Sequence, residues 1–338
     1  MSGRNGHARF FSKLVWKLCG SLEFGAAGGV ILFAILFSVF TKGLWLSPLN
    51  IQVIMRSAAQ LGIMATGQAL VIITGRIDLS VGSIFGICGV SFVAMTSVIG
   101  VPLAFILSLL FGVGIGFING FLTEKMGVPS LITTLGNLYI FRGLIYFVTQ
   151  GFSNALPKAA RDSTLVRLLG GSWAGGWNNL IIWFMLITTA MAILLSFTRY
   201  GNWVFAVGND ERSALSRGVS PPKVRMLAFI ICGLLAGFAG ISTVCDMQIG
   251  GTTLGKEMEL ASIASSVLGG TALTGGIGSV LGAAIGAVLL SMIRSGLIMM
   301  GAPPYWFVTF VGVVLIGAVL AQTKVRERFQ SLIERKYK

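Results

Sequence analysis

A chain of 338 residues could hold two soluble domains, but 55% hydrophobic residues against 11% charged ones excludes that. Soluble domains carry about 25% charged residues, and a chain this poor in charge would leave more apolar surface in water than water tolerates. A net charge of +14 would suggest nucleic-acid binding in a soluble protein; here the lysines and arginines gather at the two ends and in one central loop, as in a multi-pass membrane protein. His7 is the single histidine, and Cys19, Cys88, Cys232 and Cys245 are scattered without a CxxC spacing. Histidine-based zinc sites, Ser-His-Asp triads and Cys-His pairs are thereby excluded, and no disulfide framework is legible.

An apolar run of about 20 residues crosses the hydrocarbon layer as a helix. Such runs predict helix 1 at 24–41, helix 2 at 50–73, helix 3 at 79–98, helix 4 at 102–124 and helix 5 at 129–149. After a polar stretch come helix 6 at 178–197, helix 7 at 223–246, helix 8 at 259–271, helix 9 at 275–300 and helix 10 at 304–321. Helix 8 is too short to cross fully. Pro48, Pro102, Pro129, Pro221, Pro222, Pro303 and Pro304 fall where helices begin, where a missing N–H costs little.

The expected fold class is an all-α membrane protein of about ten transmembrane helices, with basic cytoplasmic tails at 1–23 and 322–338 flanking a membrane domain at 24–321. With the N-terminus inside, ten crossings place 17 lysines and arginines in the cytoplasm and five outside, while Arg56, Arg142 and Arg294 fall within spans. That asymmetry obeys the positive-inside rule. Dropping helix 8 would move the six C-terminal cations outside.

Gly112, Gly116 and Gly120 in helix 4, and Gly278, Gly282 and Gly286 in helix 9, each repeat at a spacing of four, a face that permits close helix approach. Each helix is third in a unit of four, helices 2–5 and 7–10, and the two units begin on opposite sides of the membrane. This is the pattern of an inverted repeat, whose solute path lies at the repeat interface.

The run from Gly250 to Glu257, GGTTLGKE, nearly matches a phosphate loop, but Glu257 stands where a Ser or Thr would hold Mg²⁺ and no strand precedes it. No nucleotide, cofactor or metal is expected on this chain, and no catalytic residue. Asp78, Asp246, Glu257 and Glu259 all lie at predicted helix ends. Few carboxylates are left inside the spans to couple protons or sodium, so the energy source is expected on another subunit. Beside Arg56, Arg142 and Arg294, what the spans hold is neutral polar groups: Gln60, Gln68, Asn119, Thr133, Thr134, Asn137, Tyr139, Ser262, Ser265 and Ser266. Such groups suit an uncharged polyhydroxylated solute, and the plainer reading is hydrogen bonding between helices. Gln68, Thr133, Thr134, Asn137 and Ser265 are the pathway candidates, with Thr133 and Asn137 on one helical face. Arg142 and Arg294 are expected to snorkel or pair.

Residues 199–222 form the one long cytoplasmic loop, with Val204, Val207, Leu215 and Val219 at a spacing that makes one face of a short helix pair. It is either an interfacial helix or a docking element for a partner.

Four stretches then point further: ITGRIDLSVGS at 73–83, INGFLTEKMGVPSLITTLGNLYIFRG at 118–143, RYGNWVFAVGNDERSALSRGV at 199–219, and MELASIASSVLGGTALTGGIGSVLGAAIGAVLLSMIRSGL at 258–297. In this order they resemble the permease subunits of bacterial ABC importers for simple sugars, the group with the ribose, xylose, arabinose and galactose permeases, over about residues 50–321. The resemblance implies a permease that pairs with a second copy or a paralogue in the bacterial inner membrane. Its partners would be an ABC ATPase subunit, which would use the ATP and Mg²⁺, and a periplasmic sugar-binding protein. It also implies that 199–222 is the ATPase coupling loop, carried here by Arg199, Tyr200, Gly201, Gly208, Asp210, Arg217 and Gly218, and that Asp78, Ser80 and Gly82 belong to a family motif. Three departures stand out: Arg76 where Gly is usual, Asn209 and Asp210 where Gly and Asn are typical, and Ser295 in place of a common Asn.

The function expected from all this is ATP-driven import of a monosaccharide or similar neutral polyol by alternating access. The alternatives are an importer permease for a sugar-like signal such as a furanosyl autoinducer or for a nucleoside, and, more distantly, a carrier or channel working alone.

Overall fold

The structure is a computed structural model that describes residues 22–317 and 320. The expectations for most of the basic tails, His7 included, and for the end of predicted helix 10 lie outside the described residues.

The described chain is helical almost throughout. α1 spans Leu22–Phe40, α2 Pro48–Ile73, α3 Val81–Ile99, α4 Val101–Glu124 and α5 Ser130–Thr149. A short region follows with α6 at Lys158–Arg161 and α7 at Thr164–Gly170. Then come α8 at Asn179–Phe197, α9 at Arg199–Asn209, α10 at Glu211–Ser216 and α11 at Pro221–Met247. α12 spans Met258–Leu268, α13 Val280–Met299 and α14 Trp306–Gly317. One small antiparallel ladder pairs β1, Asn154–Ala155, with β2, Ile249–Gly250. The helices begin where the prolines predict: Pro48, Pro102, Pro221 and Pro222 occupy first-turn positions of α2, α4 and α11, where no intrahelical N–H bond is lost.

Six helices, α3, α4, α5, α8, α11 and α13, are long and apolar enough to cross a membrane. α1, α12 and α14 contribute shorter apolar stretches. α2 has 26 residues but carries Asn50, Gln52, Arg56, Gln60 and Gln68. Gln68 is tolerated because every residue from Leu61 to Ile73 is buried, so that half of the helix meets protein rather than lipid; Asn50, Gln52, Arg56 and Gln60 lie on the half-buried first half. The most extensive helix contacts are α4 with α11 and α2 with α13. In each pair, the third helix of one predicted unit packs on the first helix of the other.

The two glycine faces do not play equivalent parts. On α4, a Cβ at Gly112 would lie 2.6 Å from the Gly233 carbonyl oxygen, and one at Gly120 would lie 2.9 Å from Met226 Cα, both on α11. On α13, Gly282 and Gly286 instead press against the backbone of Gly269 and Ser265, at and beyond the end of α12. Equal spacing permits close approach in both places without choosing the neighbour. A second correspondence is visible beside the structure. Ile77-Asp78-Leu79-Ser80 leads into α3 as Met258-Glu259-Leu260-Ala261 opens α12, and Met126-Gly127-Val128-Pro129 follows α4 as Met300-Gly301-Ala302-Pro303 follows α13. Gly127 and Gly301 both hold positive φ, 74° and 85°, which explains why glycine recurs there.

Predicted helix 8 is a half-length helix: the 11 residues of α12 rise about 16 Å. The chain reaches it through the non-helical residues 251–257, which lie against α3, with Leu254 beside Gly86 and Gly89 and Gly255 against Gly82. The Leu254 carbonyl accepts a hydrogen bond from Arg142 Nη1 at 2.8 Å. Irregular backbone at this depth survives only when its polar groups find protein partners, and Arg142 supplies one.

Candidate functional site

The loop at 199–222 folds as the predicted helix pair. Thr198 caps α9, its Oγ1 accepting from Gly201 N at 3.2 Å. Asp210 caps α10, accepting from Arg212 N at 3.0 Å and from Ser213 Oγ at 2.7 Å. Those bonds, the Ser213 hydroxyl foremost, hold the Asp210 carboxyl below the ordinary carboxylate value. Tyr200 donates its hydroxyl to the Val224 carbonyl at 3.1 Å, and burial raises its pKa. Val204 and Val207 are buried and Val219 is half-buried, as the spacing predicts, but Leu215 is 54% exposed. α10 is a separate helix after the Asp210 break, so the α9 periodicity does not carry through to it. Arg199, Asp210, Arg217 and Gly218 are exposed, and with Trp203 and Leu215 they form an outward surface.

Gly208 seats α9 on the bundle. A Cβ there would overlap the Ile73 carbonyl and lie 2.5 Å from Gly276 N. Gly276 N itself donates to the Ile73 carbonyl at 2.8 Å, and Asn209 Nδ2 reaches the Gly276 carbonyl at 3.3 Å. The end of α9 therefore touches the chain leaving α2 and the loop between α12 and α13 at the same point.

Beside it lies a charge cluster that sequence reasoning did not single out. Arg225, buried at the start of α11, donates Nη1 to Glu211 Oε2 at 3.0 Å and to Glu124 Oε2 at 3.3 Å, and Nε to the Thr74 carbonyl at 3.1 Å. Arg76 Nε meets Glu124 Oε1 at 2.8 Å. Arg76 is thus the counter-ion of a buried carboxylate, and its departure from the family pattern has a partner in Glu124. Glu124 stands inside a quoted motif and Arg76 is one of the three departures, but neither their pairing nor the place of Glu124 opposite Arg225 is legible along the chain.

The family-motif residues and one pathway candidate meet in a single buried chain of hydrogen bonds. Asp78 Oδ1 accepts from Ser80 N at 2.8 Å and from Ser80 Oγ at 2.7 Å. Asn119 Nδ2 lies 3.2 Å from Asp78 Oδ2 and 2.8 Å from Ser80 Oγ. Asn137 Nδ2 donates to Asn119 Oδ1 at 2.6 Å. The loop before α3, α4 and α5 are knitted together here. Gly82, one turn on, has no room for a side chain because Gly255 and the Glu259 carboxylate lie against it.

The other pathway candidates are separate from that chain. Thr134 Oγ1 donates to the Ser130 carbonyl and Ser265 Oγ to the Ala261 carbonyl, both at 2.8 Å. Gln68 Nε2 and Thr133 Oγ1 are buried without a partner among the described residues. At the opposite end of the bundle from α9, the first half of α2 and the second half of α13, with Met247 of α11, line an open cleft of about 490 Å³. Its polar lining is Asn50, Arg56, Ser57, Gln60, Ser291, Arg294 and Ser295. Arg56 pairs with Asp246, whose other oxygen accepts from Asn178 Nδ2 at 2.5 Å. Arg294 lies 5.4 Å from the Phe307 ring centroid, and Ser295, the third departure, donates to Asn50 Oδ1 at 2.6 Å.

Residues 50–319 match the family described as the branched-chain amino acid transport system / permease component. The chain is 35% identical to the autoinducer 2 import system permease protein LsrC of Yersinia enterocolitica, over 81% of this chain and 75% of that one. It is 34% identical to the protein of the same name from Photorhabdus luminescens, over 82% of each, and 34% identical to that of Yersinia pseudotuberculosis, over 81% and 77%. No solved structure matches.

Proposed function

Since the chain belongs to the family described as the branched-chain amino acid transport system / permease component, as a multi-pass permease of the bacterial inner membrane, we propose that it is the membrane subunit of an ATP-driven importer for a small polyhydroxylated solute. Autoinducer 2, named in its relatives, is the leading substrate, with monosaccharides next. The topology proposed is ten crossings with both termini cytoplasmic, α2–α5 and α11–α14 forming inverted halves. The reciprocal packing of α4 on α11 and α2 on α13 supports it.

The observation that carries the reading is the seat of α9–α10. The pair presents Trp203, Leu215 and exposed charges outward, while Gly208 rests on the chain of both halves at once. A partner that displaced this pair would move both halves of this chain as one body against the second copy, the rocking that alternating access needs. In this reading the partner is an ABC ATPase subunit, which binds and hydrolyses ATP with Mg²⁺, and Arg199, Tyr200, Gly201, Gly208, Asp210, Arg217 and Gly218 form its docking element. A periplasmic binding protein delivers solute to the far side, and a second copy or paralogue completes the pathway. Buried polar atoms left unpaired cost about 1–3 kcal/mol each, so Gln68 Nε2 and Thr133 Oγ1 are the pathway candidates with most to gain from a passing hydroxyl. Thr134, Asn137 and Ser265 complete the proposed set of path-lining residues.

The test is ATP hydrolysis by the chain reconstituted with its ATPase and binding protein, with autoinducer 2, pentoses, hexoses and leucine added singly. Stimulation by autoinducer 2 or one sugar, requiring both partners, is expected. Stimulation by leucine alone would overturn the substrate class, and solute flux through liposomes holding only this chain would overturn the importer reading.

A further inference from the structure

Arg225 is the charge whose surroundings the transport reading leaves unused. Its side chain is 5% exposed and that of Glu124 is 4% exposed. Burying ions costs several kcal/mol each unless every charge is paired. Here the pairing is complete: Arg76 and Arg225 balance Glu124 and Glu211. The cluster is also a line. It runs from Glu211 on α10, 48% exposed, through Arg225 on α11 to Glu124 at the end of α4 and to the Thr74 carbonyl after α2.

We propose that Arg225 is a positioning residue that carries displacement of α10 into α2, α4 and α11, with Glu211 as the strut linking it to α10. The inference rests on the reading of α9–α10 as the docking element. Among the described residues, Glu211 is the side chain of α10 with an ion pair into the bundle. The serines of α10 bond locally, Ser213 to Asp210 and Ser216 to the Ser213 carbonyl, and Arg212 is exposed. Ala214 is buried but has only a methyl group to offer. A packed methyl can push but slides when pulled. An ion pair held by a guanidinium with three acceptors resists both directions, and the fixed fork of Arg suits several acceptors in a way the single ammonium of Lys does not. α9 is attached differently, through backbone contact at Gly208 and the neutral hydrogen bonds of Tyr200 and Asn209, so among the described residues the ionic attachment of the pair lies on α10.

The cluster supplies its own clean perturbation. Glu211→Gln removes the ionic strut and leaves Arg225 and Arg76 sharing Glu124, with Arg225 Nε still on the Thr74 carbonyl, so each buried ion keeps a partner although the cluster gains one net positive charge. Arg225→Met would strip both carboxylates of a partner and damage the fold.

Two measurements test the proposal. In the purified chain in lipid nanodiscs, amide hydrogen exchange over Arg212–Gly218 in Glu211→Gln is expected to quicken about tenfold, with Glu211→Asp recovering part of the protection, because local opening sets exchange. Unchanged exchange would overturn the strut. In the importer reconstituted with its ATPase and binding protein, ATP consumed per autoinducer 2 imported is expected to rise at least about fivefold in Glu211→Gln while hydrolysis and assembly persist. An unchanged ratio would overturn the coupling role, as would hydrolysis and uptake falling together through loss of the ATPase, since that is the result of a merely structural contact. If the unaltered chain shows no ATP-driven uptake of any solute tested, the importer reading fails and the coupling role with it. The exchange result separates that failure from a missing strut.

Discussion

Replacing Asn119 by Leu tests whether the buried chain Asp78–Ser80–Asn119–Asn137 is a structural hub. Leu has nearly the same shape and fits a helix, so the loss is confined to hydrogen bonds. Two buried atoms would be orphaned: Asn137 Nδ2, which now donates at 2.6 Å, and Asp78 Oδ2, whose Asn119 contact is 3.2 Å. Asp78 Oδ1 keeps both Ser80 bonds. At about 1–3 kcal/mol for each orphaned group, the cost is about 4 kcal/mol. Asn137→Leu orphans only Asn119 Oδ1 and should cost about half as much. A chain of this size loses about 2 °C in midpoint per kcal/mol, so the expected shifts are about 8 °C and about 4 °C. The assay is thermal unfolding in detergent followed by a thiol-reactive fluorophore, in a Cys19→Ser background. Cys88, Cys232 and Cys245 are all free and buried, so they react only as the bundle opens. Equal shifts for the two variants, or a shift below about 2 °C for Asn119→Leu, would refute the hub.

Two further outcomes follow from the coupling end. Gly208→Ala should abolish uptake, because its Cβ meets the Ile73 carbonyl and Gly276 N with no side chain able to yield; overpacking of that kind costs about 1–3 kcal/mol. Gly218→Ala should keep most uptake, since a Cβ there would meet nothing within 4 Å and the cost is confined to holding an alanine at a φ of 81°. Comparable loss in both would contradict the seating of α9. The depressed Asp210 pKa has a signed consequence: the cap on α10 is complete above the ordinary carboxylate value of 3.8 and is lost as pH falls through the lower folded value. Protection of Arg212 and Ser213 amides, corrected for intrinsic rates, should therefore stay flat from about pH 8 to about pH 5. A decline within that window would mean another group holds the α10 start.

The legible features were those set by composition and local pattern. Apolar runs placed nearly every long helix within a few residues, because a helix in lipid must close its own hydrogen bonds and so depends only on its own segment. Prolines marked the starts of α2, α4 and α11, and the four motifs identified the family. The Val204 and Val207 face of α9 was readable from spacing; Leu215 was not, because a break at Asp210 resets helical phase. The neighbours of each face depended on tertiary structure. Gly116 and Gly282 look alike along the chain, yet one meets α11 and the other the end of α12, since a small residue permits contact without specifying with whom. Arg76, Glu124, Glu211 and Arg225 span 150 positions of the sequence and carry no shared spacing. Ion pairing is a matter of a few ångströms, and only the folded chain brings those four charges within reach of one another.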